Sequence, residues 1–300
     1  MSEANLLRVY LEPPMLKTAR AGSFNFLNQL RAAVEAKGWQ IDWCETGAAA
    51  RDAAPSLPGY ALFHTEAPTH ERALSFRKAY FYPFWQIEPH QQRWRFHVAE
   101  TPFVPDTIPP VEARAFVERL RARVMPETKP ARENYILIPL QGRIRSCRSF
   151  QTMSPLEMVE TVAASGRAAV ATFHPNESYS AADRSALQEL AARYPNLQIG
   201  GDTQKLLPGC SFVATQNSAV AFEGFLLKKP AVLFGQSDFH HIALNVAELG
   251  AQEALARAPS LKPDFERYLF WFLRRMAINA TAPDAQDQIR AAMKRGGWPI

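Results

Sequence analysis

Cysteine is scarce and scattered. Cys44, Cys147 and Cys210 are three thiols in 300 residues, with no CxxC pair, which excludes a disulfide framework and a thiolate zinc cluster. The chain contains no GxGxxG, no Walker loop, no GxSxG elbow and no kinase signature, so the standard dinucleotide, P-loop, hydrolase and kinase sites are not expected. Its seven histidines do not fall at metal-ligand spacing, and no metal is expected. No basic run is interleaved with aromatics, which argues against nucleic acid as a partner. Long apolar runs are also missing. The most apolar segment near the end, Tyr268 to Leu273, is far short of a bilayer span. The opening MSEANLLRVYLEPP has an early acid and no apolar core, unlike a signal peptide. A cytoplasmic protein is expected, with peripheral association at the inner membrane as the alternative.

What is present points to a substantial core. Hydrophobic residues make up 47% and charged residues 21%, with a net charge of +5. That balance suits an anionic small substrate or a membrane surface. The length predicts two domains. Prolines at 102, 105, 109 and 110 form a spacer, and a helix from about Val111 to Val124 leads to the polar stretch Met125 to Glu133. The expected domains are therefore 1–128 and 129–300, with the C-terminal helix crossing back over the boundary.

Both halves alternate strand and helix. Leu6 to Leu11 reads as a strand closed by Glu12, Pro13 and Pro14, and Lys17 to Ser23 as a loop. A helix from Phe24 to Ala36 and a strand from Trp39 to Cys44 follow. Tyr60 to His64 is a strand ending in His64, Thr65 and Glu66. The segment Ala79 to Phe103 crowds eight aromatic rings among charges without a clean period; it reads either as a core wrap or as an acceptor groove. In the second half, strands are expected at Tyr135 to Leu140, Arg167 to Phe173, Leu197 to Ile199, Ser211 to Ala214 and Ala231 to Phe234. Helices are expected at Pro155 to Ala164, Ala181 to Arg193, Ala219 to Leu227, Phe239 to Leu249, Pro263 to Ile278 and Ala285 to Lys294. The fold class is α/β with parallel sheets, arranged as two facing Rossmann-like domains.

In such a sheet ligands bind beyond the carboxyl ends of the strands. Four segments fall there in the second half: Gln141 to Arg148, His174 to Glu177, Thr215 to Ser218 backed by Glu223, and Gly235 to His240. Asn217 and Ser218 stand at a helix start, where free N–H groups suit a phosphate; helix capping alone is the other reading. Pro175 fixes the turn that holds His174 at the strand edge. Arg143, Arg145 and Arg148 form either an anion clamp or a solvated loop. The four segments together point to an anionic, nucleotide-linked ligand.

The sequence ATFHPNE, followed by TQNSAVAFEGFLLKKPAVLFGQSDFHH, resembles the C-terminal half of bacterial capsule polysaccharide proteins. These are the 3-deoxy-manno-octulosonate (Kdo) transferases of capsule lipid-linker synthesis, and more distantly the sialyl- and polysialyltransferases. YILIPLQGRIRS is similar to the strand and glutamine loop that open the nucleotide domain there, and the resemblance runs from about Tyr135 to Ile278. It implies a GT-B fold and a CMP-activated sugar. CMP contacts would fall to His174, Pro175, Asn217 and Ser218, with Glu223 and Gln141 supporting the site.

The expected function is a glycosyltransferase of capsule or surface polysaccharide assembly. It would move a CMP-activated ulosonate such as Kdo to a glycan or glycolipid acceptor, with no cofactor and no metal. The donor's carboxylate gives a reason for Arg143, Arg145 and Arg148. Candidate bases are Glu12, His64 and Glu66, at strand ends of the first half. The alternatives are a nucleotide-sugar 2-epimerase, which needs no acceptor, and a non-catalytic glycan-binding member of capsule assembly.

Overall fold

The computed structural model describes residues 5–131 and 133–300. In chain order its strands are Leu6–Leu11 (β1), Gln40–Glu45 (β2), Tyr60–His64 (β3), Ala73–Lys78 (β4), Phe84–Glu88 (β5), Ile136–Pro139 (β6), Ala169–Thr172 (β7), Leu197–Ile199 (β8), Phe212–Thr215 (β9), Ala231–Leu233 (β10), Leu244–Asn245 (β11) and Ile278–Asn279 (β12). The chain divides into two compact units, Met1–Thr101 with Phe272–Ile300, and Pro102–Trp271. The junction expected at 128/129 lies inside the second unit, because the helix Pro110–Val124 packs there against the helix Phe265–Phe270.

The first unit is built on a sheet in the order β12-β5-β4-β3-β1-β2. β1 shows why both faces of a central strand are apolar. Leu7, Val9 and Leu11 enter one core with Phe26, Leu27 and Leu30 of the helix Asn25–Glu35 and Ile289 and Met293 of the helix Ala285–Arg295. Tyr10 points the other way, into a smaller cluster where it stacks on Phe63 at 4.6 Å. This is the period of two expected of a strand. β5 runs antiparallel to β4. Only the short turn 79–83 joins them, and a parallel pair would need a crossover of a dozen residues or more. Most of the aromatic segment wraps the core: Phe81, Phe84, Trp85 and Phe96 are buried, while Tyr82 is half exposed.

Three sequence expectations change here. The stretch after β1 is a helix, Pro13–Arg20, rather than a loop; its prolines occupy the first positions, where no N–H is needed. The long helix expected from Pro263 ends early: Phe265–Phe270 passes into a π-turn at Trp271–Arg275, and Ile278–Asn279 joins the first sheet beside β5. The helix expected from Phe239 is a short 3₁₀ turn, then the edge strand β11 and the one-turn helix Val246–Leu249.

The second unit holds a wholly parallel sheet in the order β11-β10-β9-β6-β7-β8. Its strands are short apolar runs, buried because helices cover both faces of such a sheet. Ile136, Ile138, Phe212, Ala214 and Val232 fall in one core cluster with Met158, Val159 and Val162 of the helix Pro155–Ala164. That helix opens with a full capping box: Ser154 Oγ accepts the Glu157 N–H at 3.2 Å, and Glu157 accepts the Ser154 N–H at 2.7 Å. Among the described residues no helix is long and apolar enough to cross a membrane.

Candidate functional site

Strand register brings the sequence-selected segments of the second unit to one edge. Pro139 is level with Thr172, Leu233 is level with Thr215, and Leu137 pairs with Val213. Four adjacent strands, β10, β9, β6 and β7, therefore release their chains together at the carboxyl edge. His174 and Ser218 do not follow neighbouring strands. β6 lies between β7 and β9, which separates the two strand ends by about 10 Å.

The β9 turn is strongly tied down. Thr215 Oγ1 donates to the Pro139 carbonyl and accepts the Ser218 N–H. Asn217 Nδ2 donates to the Gln236 carbonyl at 3.1 Å, fastening the end of β9 to the segment after β10. Ser218 caps the helix Ala219–Leu226 by accepting the Val220 N–H at 3.3 Å. The capping reading of Ser218 thus holds in the structure, and it also leaves the helix start pointed at the edge. Glu223 is half-buried and accepts a hydrogen bond from Gln204 at 2.9 Å.

His174 is half-buried, and Pro175 is exposed. Its Nδ1 accepts the Asn176 N–H at 3.2 Å. A nitrogen that accepts has no proton, so the neutral ring carries its proton on Nε2 and presents a donor there. The His174 backbone N–H is held by the Tyr179 hydroxyl at 3.0 Å.

The loop after β6 does more than the sequence showed. It leaves β6, crosses the end of β9, where Gln216 Nε2 donates to the Met153 carbonyl, and pairs at Gln151 with Gly235 beyond β10. Thr152 is bonded through both its N–H and its hydroxyl to the Phe234 carbonyl. The loop is a strap over three strand ends. Of its arginines, Arg145 is already engaged, donating to the Ala182 carbonyl at 2.8 Å and lying 3.5 Å from Asp183. Arg143 is exposed and adopts a left-handed backbone, φ 60°, a conformation that costs a non-glycine residue energy and is found at ligand sites. Arg148 lies over the Phe150 ring at 4.9 Å, and its buried Nε and Nη2 have no hydrogen-bond partner. Burial pushes its pKa down, the Arg143 charge adds to this, and Glu177 opposes it.

Three glutamines stand at this edge, of which the sequence pointed to Gln141 as a supporting residue and gave no role to Gln151 or Gln216. Gln141 Oε1 is buried without a partner. Gln151 accepts the Arg148 N–H at 2.7 Å and keeps an unpartnered Nε2, and Gln216 keeps an unpartnered Oε1. Gln151 and Gln216 are 8% and 1% exposed. Nothing in the pattern around Gln151 marks it, since a loop has no period to read.

At the carboxyl edge of the first sheet, Glu12, His64 and Glu66 come from adjacent strands β1 and β3. Their surroundings differ. Glu66 accepts from the Thr46 hydroxyl and lies 3.4 Å from Arg51. Glu12 is exposed. His64 packs on Phe76 at 5.0 Å, and its buried Nδ1 has no partner. Burial lowers the His64 pKa, with Arg77 adding and Glu12 and Glu66 opposing. His70, His90 and His97 are lowered too, each chiefly by burial. The unfolded chain therefore takes up protons at these four sites more readily than the folded one. Stability should fall as pH drops through the ordinary histidine value of about 6.5 and level off below the lowered folded values. Melting curves between pH 7.5 and 5.5 check this, and a flat melting temperature would contradict it.

No protein-family model matches the sequence, and no curated protein matches it. Among solved structures, the chain is similar to the β-Kdo 2,7 transferase of Thermosulfurimonas dismutans KpsC, at 11% identity and a TM-score of 0.52, over 96% of this chain and 99% of that one. The fold is GT-B-like. The β-Kdo 2,4 transferase of the same KpsC overlaps at a TM-score of 0.48 and 11% identity, over 88% and 89% of the two chains. The UDP-GlcNAc 2-epimerase of Neisseria meningitidis bound to UDP-GlcNAc gives 0.35 and 11%, over 97% and 99%. The first match establishes the shared fold.

Proposed function

We propose that this chain is a glycosyltransferase of capsule or surface polysaccharide assembly, taking a CMP-activated ulosonate such as Kdo to a glycan or glycolipid acceptor. The observation that carries the reading is the level carboxyl edge of β10, β9, β6 and β7. The segments that leave it carry a helix start, a histidine with its proton on Nε2 and a guanidinium with two unpartnered nitrogens. These are donors, and the group they suit is an oxyanion. The transferase fold of the KpsC match supports the assignment.

In this reading the second unit binds the nucleotide sugar. His174, Pro175, Asn217 and Ser218 take the CMP moiety, with Gln141 and Glu223 in support. Arg143 and Arg148 take the sugar carboxylate, while Arg145 holds the strap through Asp183. The departing phosphate is stabilised by hydrogen-bond donors, without a metal. The first unit takes the acceptor and supplies the base, for which Glu12 is the best placed carboxylate. Glu66 is occupied by Thr46 and Arg51. The protein works at the cytoplasmic side, on an acceptor presented at the inner membrane.

A thermal-shift series with CMP, UDP and GDP tests the donor class. At about 100 times its dissociation constant a ligand adds roughly 2.7 kcal/mol of stability, and the largest shift is expected with CMP. A larger shift with UDP would remove the CMP assignment and favour the epimerase reaction.

A further inference from the structure

The middle of the proposed nucleotide edge already holds a carboxylate. Gly142 is the third residue after β6 and is buried, and a Cβ built on it would overlap Oε2 of Glu177. Glu177 reaches this point from the turn after β7, where its N–H bonds the His174 carbonyl at 3.3 Å. Its carboxylate thus lies against the backbone of the strand end beside Arg143. Arg148, whose Nε and Nη2 lack hydrogen bonds, is close enough for the Glu177 charge to act on it, and Gln151, 8% exposed with a free Nε2, accepts the Arg148 N–H at 2.7 Å. Glu177 is solvent-exposed, so its carboxylate is free to leave.

We propose that Glu177 is a resident counter-ion for the Arg143–Arg148 seat and competes there with the oxyanion of the ligand. An anionic ligand must push the Glu177 carboxylate off Gly142 before it reaches the arginines and Gln151 Nε2. Glu177 is then a specificity residue: it sets how much negative charge a ligand must bring to occupy the seat. The oxyanion belongs either to the nucleotide phosphate or to the sugar carboxylate. The inference rests on the nucleotide-sugar reading for the identity of the ligand, although not for the presence of an oxyanion seat.

The experiment is calorimetric titration at fixed ionic strength with CMP, inorganic pyrophosphate, a CMP-linked ulosonate and uncharged cytidine. The proteins are wild type, Glu177→Gln and Gly142→Ala. Glu177→Gln keeps the shape and removes the charge. Gly142→Ala adds a methyl that only the flexible end of Glu177 must avoid, so it evicts the carboxylate by a separate route. Both variants are expected to tighten the seated oxyanion by about threefold to tenfold, the effect of one nearby like charge in a partly solvated site, and to leave cytidine unchanged. Tightening of CMP and pyrophosphate assigns the seat to phosphate; tightening confined to the CMP-linked ulosonate assigns it to the sugar carboxylate. Arg148→Gln should weaken the same ligands and cancel the gain from Glu177→Gln in the double variant.

Equal weakening of CMP and cytidine by Glu177→Gln would overturn the proposal and make Glu177 a partner of ribose hydroxyls. Unchanged affinities for every anion in both variants would overturn it as well. Should wild type bind CMP while neither variant tightens any anion, this inference fails and the nucleotide reading stands. Should only pyrophosphate bind, and bind more tightly to the variants, the seat stands and the nucleotide reading fails. If wild type and both variants bind none of the four, both fail.

Discussion

Replacing His174 by alanine should weaken CMP binding by about 10- to 150-fold, while the melting temperature falls by no more than about 4 °C. The Asn176 N–H fixes Nδ1 as an acceptor, so the proton resides on Nε2 at the carboxyl edge. A hydrogen bond to a charged phosphate is worth roughly 1.5–3 kcal/mol. The fold asks little of the same side chain, which is half-buried and closes one turn through one hydrogen bond. His174→Gln should recover part of the binding, because its amide also offers a donor. The paired measurement is titration with CMP and a melting curve on each variant. If His174→Ala melts far below wild type, with binding lost only through unfolding, the histidine is a structural residue.

The second large effect is expected at Glu12. Glu12→Gln should lower the transfer rate by about 100-fold or more, the usual contribution of a general base, with CMP affinity unchanged. Among the three acid–base candidates at this edge, Glu66 already serves Thr46 and Arg51, and the His64 pKa is lowered by burial. Glu12 follows β1 directly and stands exposed at the amino end of the helix Pro13–Arg20. Glu66→Gln should act differently: it removes an ion partner of Arg51, and a partly exposed pair of this kind is worth at most about 1 kcal/mol. Steady-state rates with saturating donor separate the two. A Glu66→Gln variant that loses more turnover than Glu12→Gln would move the base to Glu66.

Much of the second unit was legible in the sequence, for physical reasons that particular elements make plain. The run YILIPL is too apolar and too short for anything but a buried strand, and the structure has β6 there. Ser154 and Glu157 announce a helix start through a reciprocal pair of hydrogen bonds, and both bonds form. The turn Thr215 to Ser218 falls where a strand must hand over to a helix. What stayed hidden depended on strand order or on loop paths. No local pattern says that β6 inserts between β7 and β9, or that Ile278–Asn279 leaves a helical stretch to extend the first sheet. Pro13 and Pro14 read as a strand stop, which is correct, yet the same prolines open a helix.

The site divides along the same line. The place of His174 and Ser218 at the carboxyl edge was accessible because strand ends can be counted along the chain. The arginines could not be sorted that way. Arg145 is committed to Asp183 and Ala182, whereas Arg148, three residues on, is left with unpartnered nitrogens by the course of the strap. Gln151 and Gln216 acquire meaning only once the strap crosses β9, and Glu177 only once its carboxylate is seen against Gly142.

The central claim is that the carboxyl edge of β6, β7 and β9 receives the nucleotide of a CMP-activated sugar. A crystal structure of the protein with CMP tests this most directly. The account predicts the phosphate at the start of the helix Ala219–Leu226, within hydrogen-bonding distance of His174 Nε2. CMP bound away from this edge, or at the edge with His174 turned from the phosphate, would contradict it.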